Sequence, residues 1–327
     1  MGRGQYKFIC CVFNKTVFMV RRFTFFSFLF ILFLGVVHTS CVKFDGEQTV
    51  PAYIRIDTIG LVCDYFTYGA NTHNFTDVWV YVDDDVRGCF ELPATIPILK
   101  QGPHKIAIYA GIAVNGIKDT RADYPFTAPA VYNNLNLVPD SIITLTPMVT
   151  YWPNGENLHV RWVEDFDQGA ITMEATSQSD VPIERASGPL AWHDPEGVYS
   201  TYSAKLQLNS DTAQFCIATI EEFTDLPTKG SPCMLEMDYK CSDTCTVGIY
   251  YRLNYMVYQE ALLRIRPTGP SGVEPTEWKK IYVNLGPYFV DYEDADYFKL
   301  YLSSWFNRND GPQYFYFDNL KIIYNDR

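Results

Sequence analysis

The residues whose types and spacing best fit acid–base chemistry are Glu236 and Asp238, within the segment LEMDY at positions 235–239. Side chains that alternate along a β-strand point to the same face, so a strand here would present both carboxylates together. Glycoside hydrolysis needs two carboxyl groups that flank the scissile bond. The pair therefore defines one alternative function, a glycoside hydrolase that uses Glu236 and Asp238.

Aromatic side chains in two other segments are suited to binding rather than to catalysis. One segment is rich in glycine and proline, and the other, WFNRND at positions 305–310, is followed by Gly-Pro. Aromatic rings stack on the apolar faces of sugars while neighbouring polar groups bind the hydroxyls. The alternative is that these rings cap the ends of a sandwich core. The candidate ligand-binding residues are Trp192, Tyr199, Tyr202, Trp305, Asn307 and Asp310.

The common motifs of hydrolases and zinc enzymes do not occur in the sequence. It has no GxSxG nucleophile elbow and no HExxH pair. Cys241 and Cys245 are close enough in sequence to form a disulfide at a hairpin tip, and an exported protein can oxidise them. Reduced or buried thiols are the alternative, and no CxxC pair completes a zinc site. We predict that no cofactor is required.

The N-terminus has the features of an export signal that ends at Cys41. Arg21 and Arg22 precede an apolar run, FTFFSFLFILFLGVV at positions 23–37, and two small residues precede the cysteine. The run is shorter than the roughly twenty residues that span a membrane. The pattern predicts cleavage before Cys41 and lipidation of that cysteine, with His38 in place of the usual aliphatic residue. An unlipidated signal peptide and a retained anchor helix are the alternatives.

We expect residues 1–40 to be removed as the signal peptide, with Met19 as a candidate true start, and residues 41–50 to form a tether. The full chain carries a formal net charge of −12, and residues 1–40 hold five Lys or Arg and no Asp or Glu, so the exported part carries −17. Such a body repels phosphate backbones and gains nothing from counterion release. We therefore expect no nucleic-acid partner, and an exported protein held by its lipid anchor at the outer membrane or cell surface.

Behind the tether, the sequence shows the alternation of β-strands rather than helical periodicity. Four segments are β-branched or aromatic and are bounded by Gly, Pro, Asn or Asp. They occupy residues 53–57, 78–82, 105–109 and 141–146. Strands at such short intervals are typical of an immunoglobulin-like sandwich. We predict this domain over residues 51–150, followed by a linker at 151–158.

The second block, residues 159–327, is predicted to hold about seven or eight strands, the number typical of a jelly roll. The strand-like segments are residues 158–169, 204–208, 233–239, 246–251, 278–285, 297–302 and 314–324. The predicted fold class is therefore all-β, with an N-terminal immunoglobulin-like sandwich followed by a C-terminal jelly-roll sandwich.

Three motifs of the second block resemble strands of galactose-binding-like jelly rolls, the fold of many carbohydrate-binding modules. These motifs are EDFDQG at 164–169, WKKIYVNL at 278–285 and FDNLKI at 317–322. The exported chain also resembles two-domain surface lipoproteins of the Bacteroidota, through DVWVYV at 77–82, FELPA at 90–94 and YPF at 124–126. The resemblance concerns the fold more than the function, because sandwiches host many unrelated roles.

The resemblance also implies two particular sites. In carbohydrate-binding jelly rolls, acids of the first and last strands often hold a structural calcium ion, and Glu164, Asp167 and Asp318 match those places. The segment around Glu236 is similar to the E-x-D-x-E strand of sandwich glycosidases, although Lys240 replaces the third acid. The resemblance thus implies a structural calcium ion, with Asp318 and Asn319 as hydrogen-bonding residues at a strand-end turn as the alternative. The hydrolase alternative has no third acid.

The predicted function is that of a non-catalytic cell-surface lipoprotein that binds a glycan or a protein partner. The export signal, the aromatic loops and the missing catalytic motifs all favour it. The main alternative is a structural or assembly component of an outer-membrane complex for secretion, motility or nutrient uptake. Such a component would use edge strands or flat aromatic patches to bind its partner.

Overall fold

The computed structural model describes residues 50–193, 200–306 and 311–326. Val50–Arg327 form one compact unit, and nearly all of its regular structure is β-strand. Within the described ranges, no helix combines the length and the hydrophobicity that crossing a bilayer requires. The predicted signal peptide and Cys41 lie outside the described residues.

The N-terminal half is an immunoglobulin-like sandwich, and the four strands predicted there are confirmed. One layer consists of two three-stranded sheets with the orders β10-β1-β5 and β2-β11-β8, and the other has the order β4-β3-β6-β7, with β9 also paired to β6. The strands are β1 (Ala52–Ile56), β2 (Gly60–Val62), β3 (Asp77–Val82), β4 (Asp85–Glu91), β5 (Ala94–Ile98), β6 (Gly102–Ala113), β7 (Arg121–Asp123), β8 (Thr127–Ala128), β9 (Ala130–Leu137), β10 (Ile142–Leu145) and β11 (Met148–Tyr151).

The C-terminal half is a jelly roll built from a six-stranded and a five-stranded sheet. The six-stranded sheet has the order β14-β15-β22-β17-β20, with β12 paired to β22, and the five-stranded sheet has the order β13-β16-β21-β18-β19. The strands are β12 (Leu158–Glu164), β13 (Met173–Ala175), β14 (Glu184–Ser187), β15 (Tyr202–Leu208), β16 (Gln214–Thr219), β17 (Cys233–Cys241), β18 (Cys245–Leu253), β19 (Met256–Ile265), β20 (Lys279–Asn284), β21 (Tyr297–Trp305) and β22 (Gln313–Asn325).

Among residues 50–193, 200–306 and 311–326, helices are few and short. Helix α1 (Tyr65–Tyr68) follows Asp64, whose carboxylate caps it by accepting a hydrogen bond from the Thr67 N–H. Helix α2 (Gly286–Asp291) joins β20 to β21 and begins with Gly-Pro, a proline position that suits the first turn. Both helices belong to loops, so the sheets provide the rigid framework for any site.

Alternation along β17 shows that the six-stranded sheet is covered on both of its faces. Leu235, Met237 and Tyr239 point into the core between the two sheets. Met234 points the opposite way and belongs to the hydrophobic cluster of the N-terminal sandwich, as does Ile323 of β22. The outer face of the six-stranded sheet is therefore buried against the N-terminal sandwich rather than open to solvent.

Glu236 lies at the centre of this covered face and is fully buried. Its carboxylate accepts hydrogen bonds from the hydroxyls of Tyr124 and, at 3.0 Å, Tyr151, which both belong to the N-terminal sandwich. Lys280 Nζ lies 3.1 Å and Lys321 Nζ 3.7 Å from Glu236 Oε2. Burial alone would raise the pKa of Glu236, but the two lysines and the hydrogen bonds hold it at about 2. An ionised carboxylate therefore links the two sandwiches.

Asp238 continues this polar cluster two residues along β17. Asn319 Nδ2 donates to Asp238 Oδ2 at 2.9 Å, and Lys280 Nζ donates to the Thr72 hydroxyl at 2.8 Å. Burial raises the pKa of Asp238 although Lys280 opposes the shift. Asp318 pairs with Asp238 across β17 and β22, and burial raises its pKa well above the ordinary value. The cluster thus contains carboxyl groups with opposite pKa shifts.

Replacing Glu236 by glutamine is expected to destabilise the protein strongly. Glu236→Gln removes the carboxylate that pairs with the buried Lys280 and Lys321, and breaking a buried ion pair in this way costs about 3–5 kcal/mol. Equilibrium urea unfolding of the exported chain measures the loss. The matched control is Glu221→Gln, which breaks an exposed pair with Arg161 at 2.6 Å and should cost at most about 1 kcal/mol. Equal losses in the two variants would contradict this account.

Asp318 gives a prediction for pH dependence. Because its folded-state pKa is raised, Asp318 contributes stability that is complete below pH 3.8 and is lost as the pH rises through the folded-state pKa. Asp318→Asn keeps a neutral side chain at every pH, so its free energy of unfolding should increase relative to the wild type from about pH 4 upwards, by about 1.4 kcal/mol for each pKa unit of the shift. Urea unfolding from pH 4 to pH 8 measures this, with the exposed Asp211→Asn as control. A difference that stays constant or decreases with pH would refute it.

Candidate functional site

Glu236 and Asp238 share one face of β17, as alternation requires, but this face is closed. Glu236 is 0 % and Asp238 3 % exposed, because the N-terminal sandwich covers them. A glycosidase must bring both carboxyl groups into contact with a bound polysaccharide. Lys240, in place of the third acid, is also buried, with its Nζ 4.9 Å from the ring centroid of Trp278. The hydrolase alternative therefore has no accessible site at these residues.

Trp192 and Tyr202 lie beside the start of β15. The Trp192 N–H donates to Ser203 Oγ at 2.7 Å, which fixes the backbone next to the strand. Tyr202 is 36 % exposed, and the Arg185 guanidinium lies 5.3 Å from its ring centroid. Tyr199 lies outside the described residues. A ligand site at Trp192, Tyr199 and Tyr202 stays a prediction.

Trp305 lies in the other sheet, at the end of β21, and is 69 % exposed. It points away from the core because Phe298, Leu300 and Leu302 of the same strand point into it. Asn307 and Asp310 lie outside the described residues. Trp305 and Trp192 are thus attached to different sheets, and a site that includes Trp305, Asn307 and Asp310 stays a prediction.

The three carboxylates expected to hold calcium already bind donors of the chain. Glu164, Asp167 and Asp318 accept hydrogen bonds of 2.5–2.7 Å from backbone N–H groups and hydroxyls. Within the described ranges, no three His, Cys, Asp or Glu side chains come together as a metal site. Calcium requires six to eight oxygens, and a calcium site at Glu164, Asp167 and Asp318 stays a prediction. The donors belong to Phe166, Thr172, Tyr202, Ser203 and Asn319.

Cys241 and Cys245 do not lie at the two sides of a hairpin. Cys241 ends β17 in the six-stranded sheet, whereas Cys245 begins β18 in the five-stranded sheet. The predicted hairpin is therefore wrong, because the chain crosses from one sheet to the other here. Both cysteines are free thiols, and burial raises the pKa of Cys241 to about 12. A disulfide between them stays a prediction.

The open face of the jelly roll belongs to the five-stranded sheet, and it contains a pocket of about 250 Å³. We call this pocket the tyrosine groove, because Tyr250 of β18 and Tyr297 of β21 line it together with polar side chains. Ligand pockets usually measure about 300–1,000 Å³, so the groove is suited to a small group such as one sugar ring. The groove is lined by Thr176, Ser177, Gln178, Ala218, Glu222, Tyr250, Val257, Tyr297 and Lys299.

A glycine and two tyrosine rings lie next to each other at the groove. The ring of Tyr301 lies against Gly248 on the neighbouring strand, where an added Cβ would come within 2.3 Å of the Tyr301 ring atoms. The Tyr250 and Tyr301 rings are 4.9 Å apart at an angle of 43°. Gly248 therefore provides the space that lets the Tyr301 ring lie flat and support Tyr250.

The groove combines neutral hydroxyls with charges of both signs. Burial raises the pKa of Tyr250 and of Tyr297, so both hydroxyls stay protonated and can donate as well as accept. Lys299 Nζ lies 3.6 Å from Glu174 Oε1, and Glu222 lines the groove. The Arg252 guanidinium lies 4.9 Å from the Tyr297 ring centroid and pairs with Asp296 at 2.9 Å. With three carboxylates and two cations, the surroundings of the groove are slightly negative.

The candidate residues from the sequence did not include Tyr250, Tyr297 or Lys299. The signal that could have identified them is the alternation along β21, whose outward positions are Tyr297, Lys299, Tyr301, Ser303 and Trp305. This pattern of aromatic and polar residues lies on the central strand of an open sheet.

No protein-family model matches the sequence, and no curated protein matches it. Among solved structures, the carbohydrate-binding and catalytic modules of endo-1,4-beta-D-xylanase 10B from Clostridium thermocellum match at 14 % identity and a TM-score of 0.31, over 50 % of this chain and 27 % of that chain. An exo-beta-agarase matches at 14 % identity and a TM-score of 0.35, over 52 % of this chain and 26 % of that chain. The matched regions thus span about a quarter of these two proteins.

Smaller proteins are also similar to half of the chain. The module TmCBM61, solved with beta-1,4-galactotriose, matches at 11 % identity and a TM-score of 0.28, over 47 % of this chain and 87 % of that chain. The K3 adhesin domain of Lys-gingipain from Porphyromonas gingivalis matches at 13 % identity and a TM-score of 0.31, over 50 % of this chain and 98 % of that domain. Carbohydrate-binding modules therefore recur among the similar structures.

Proposed function

We propose that the chain is a non-catalytic binding protein whose tyrosine groove binds a neutral glycan. The observation that supports this most directly is the composition of the groove, where two tyrosines lie beside an amide, hydroxyls, a carboxylate and an ammonium group. Sugar rings have apolar faces that stack on aromatic rings, and hydroxyls that need both donors and acceptors. The groove offers all of these groups on one rigid sheet.

The charges of the groove support a neutral rather than an acidic sugar. The three carboxylates of Glu174, Glu222 and Asp296 outnumber the two cations Lys299 and Arg252, and ion pairs with Glu174 and Asp296 already offset both positive charges. A carboxylate or sulfate on the ligand would therefore meet a slightly negative surface and lose hydration without full compensation. Neutral hydroxyls can bind the carboxylates and the ammonium group without that penalty.

We also propose that the protein is exported and attached to the cell surface by a lipid at Cys41. The proposal rests on the apolar run at residues 23–37 and on the small residues before the cysteine. A surface location would give the groove access to polymeric glycans outside the cell. The immunoglobulin-like sandwich would then separate the jelly roll from the membrane, and its shared core with the jelly roll would keep that spacing fixed.

Replacing Tyr250 should abolish glycan binding without unfolding the protein. Tyr250→Ala removes the central ring of the groove, and loss of one stacking ring is expected to weaken binding by at least tenfold, about 1.4 kcal/mol. A glycan array followed by isothermal titration calorimetry of the exported chain measures binding. Tyr109→Ala, on the outer face of the N-terminal sandwich, is the matched control and should bind normally. If Trp192→Ala with Trp305→Ala abolished binding and Tyr250→Ala did not, the site would lie elsewhere.

Gly248→Ala should displace the Tyr301 ring that supports Tyr250 in the groove. The added methyl group would be 2.3 Å from Tyr301 ring atoms and 2.4 Å from the Glu260 carbonyl oxygen, so the ring must move. Such overpacking typically costs about 1–3 kcal/mol of stability, and the displaced ring should also weaken glycan binding. Gly169→Ala is the control, because nothing lies within 4 Å of its added methyl group. Wild-type stability of Gly248→Ala in urea unfolding would show that the Tyr301 ring is free to shift.

A further inference from the structure

The tip of the β18–β19 hairpin exposes four consecutive large apolar or aromatic side chains. The exposed fractions are 93 % for Tyr255, 61 % for Met256, 54 % for Val257 and 45 % for Tyr258. Single exposed apolar residues are ordinary, whereas a contiguous patch of them marks an interaction surface. We call these four residues the hairpin tip. Of the four, only Val257 also lines the tyrosine groove.

The backbone of the hairpin tip is strained in a way that glycine would relieve. Asn254 has a φ of 52° and Tyr255 a φ of 65°, so both turn residues adopt the left-handed conformation. Two-residue hairpin turns of this kind prefer Asn-Gly, and a bulky side chain at positive φ is an outlier. A tyrosine at the position that favours glycine indicates that its side chain has a role which outweighs the strain.

A column of stacked rings holds the exposed Tyr258 in place. The centroids of Tyr258 and Tyr251 are 5.3 Å apart at an interplanar angle of 19°, and those of Tyr251 and Tyr292 are 4.0 Å apart at 15°. Tyr258 ends this column and is partly open to solvent. A fixed aromatic face of this type attracts an ammonium or guanidinium group through its π-electrons.

Exposed acidic residues lie near the other end of this column, next to Tyr292 in the sequence. Asp296 forms an ion pair of 2.9 Å with Arg252, two residues before the turn, and its N–H bonds the Arg252 carbonyl oxygen. Asp291, Glu293 and Asp294 belong to the same α2–β21 connection and are exposed. Within the described ranges, these three acids make no ion pair. The end of the aromatic column at Tyr292 therefore lies beside carboxylates without counter-ions, and Tyr258 forms the opposite end.

We infer that the hairpin tip and these acidic residues form a docking surface for a basic segment of a partner protein. One Arg or Lys of the partner stacks on Tyr258 and a second one meets the carboxylates beside Tyr292, while apolar side chains of the segment contact Tyr255 and Met256. The net charge of −12 for the full chain steers such a segment towards the protein. An anionic lipid surface fits less well, because the carboxylates would repel it. This surface is additional to the tyrosine groove and does not depend on glycan binding.

A random peptide library displayed on phage and selected on the exported chain tests this inference. We expect the enriched peptides to contain an excess of Arg and Lys together with aliphatic or aromatic residues. A synthetic peptide with the enriched sequence should bind at least tenfold more weakly to Tyr258→Ser and to Tyr255→Gly in fluorescence anisotropy. Its affinity should also fall between 50 mM and 300 mM salt, because charge pairing contributes to binding.

The matched control separates the side chain from the backbone strain. Asn254→Gly relieves the strain of the positive φ at position 254, next to Tyr255, and keeps all four exposed side chains of the hairpin tip. This variant should therefore bind the peptide with wild-type affinity. Tyr255→Gly also fits its backbone, so its unfolding midpoint should not decrease and its lost affinity cannot be attributed to unfolding. Glycan binding through Tyr250 should be unchanged in both variants.

Three results would overturn the inference. The first is an enriched peptide set without an excess of basic residues. The second is equal peptide binding by the wild type, Tyr258→Ser and Tyr255→Gly. The third is co-sedimentation of the wild type with phosphatidylcholine or phosphatidylglycerol vesicles that Tyr255→Gly abolishes, which would make the tip a lipid-binding element instead.

Discussion

The structure depends on the buried carboxylate of Glu236. Two lysines neutralise its charge, and two tyrosine hydroxyls donate the hydrogen bonds that water would otherwise provide. Its partners come from both sandwiches. Tyr124 and Tyr151, which are 112 and 85 residues away in sequence, belong to the N-terminal sandwich, whereas the two lysines belong to the jelly roll. A buried ion is tolerated only when its partners are complete. The N-terminal sandwich must therefore dock on the jelly roll for the jelly roll itself to be stable, which explains why Val50–Arg327 form one compact unit.

This docking also decides which surfaces remain for ligands. A jelly roll has two outer sheet faces, and here the N-terminal sandwich covers the one that carries Glu236 and Asp238. The five-stranded sheet keeps its outer face, with the tyrosine groove at one place and the hairpin tip near it. The stability and the proposed binding function thus use opposite sheets, so substitutions on one sheet need not disturb the other.

The sequence predicts the positions of many strands, but it does not predict which strands pair with each other in the sheets. Segments such as 78–82 and 314–324 show alternation that depends only on local spacing, and both are strands. β19 was missed because Gln259, Glu260 and Ala261 favour helices, and pairing with β18 overrides that preference. The hairpin at Cys241 was predicted wrongly because sequence separation does not reveal a change of sheet. Identifying the groove tyrosines as candidate residues requires the knowledge that β21 is the central strand of a sheet with an open outer face.

Charge pairing between strands offers a way to separate a structural acidic pair from a catalytic one. In the sheet, Glu236 lies opposite Lys321 of β22, and Asp238 lies opposite Lys280 of β20. A catalytic pair must keep an open side for its substrate, whereas a structural pair is matched by cations at facing positions on the neighbouring strands. Both lysines occur in segments that the sequence marks as strands, next to tyrosine and aliphatic residues. Their presence there favours a closed, neutralised interface, and this is the arrangement that the buried cluster adopts.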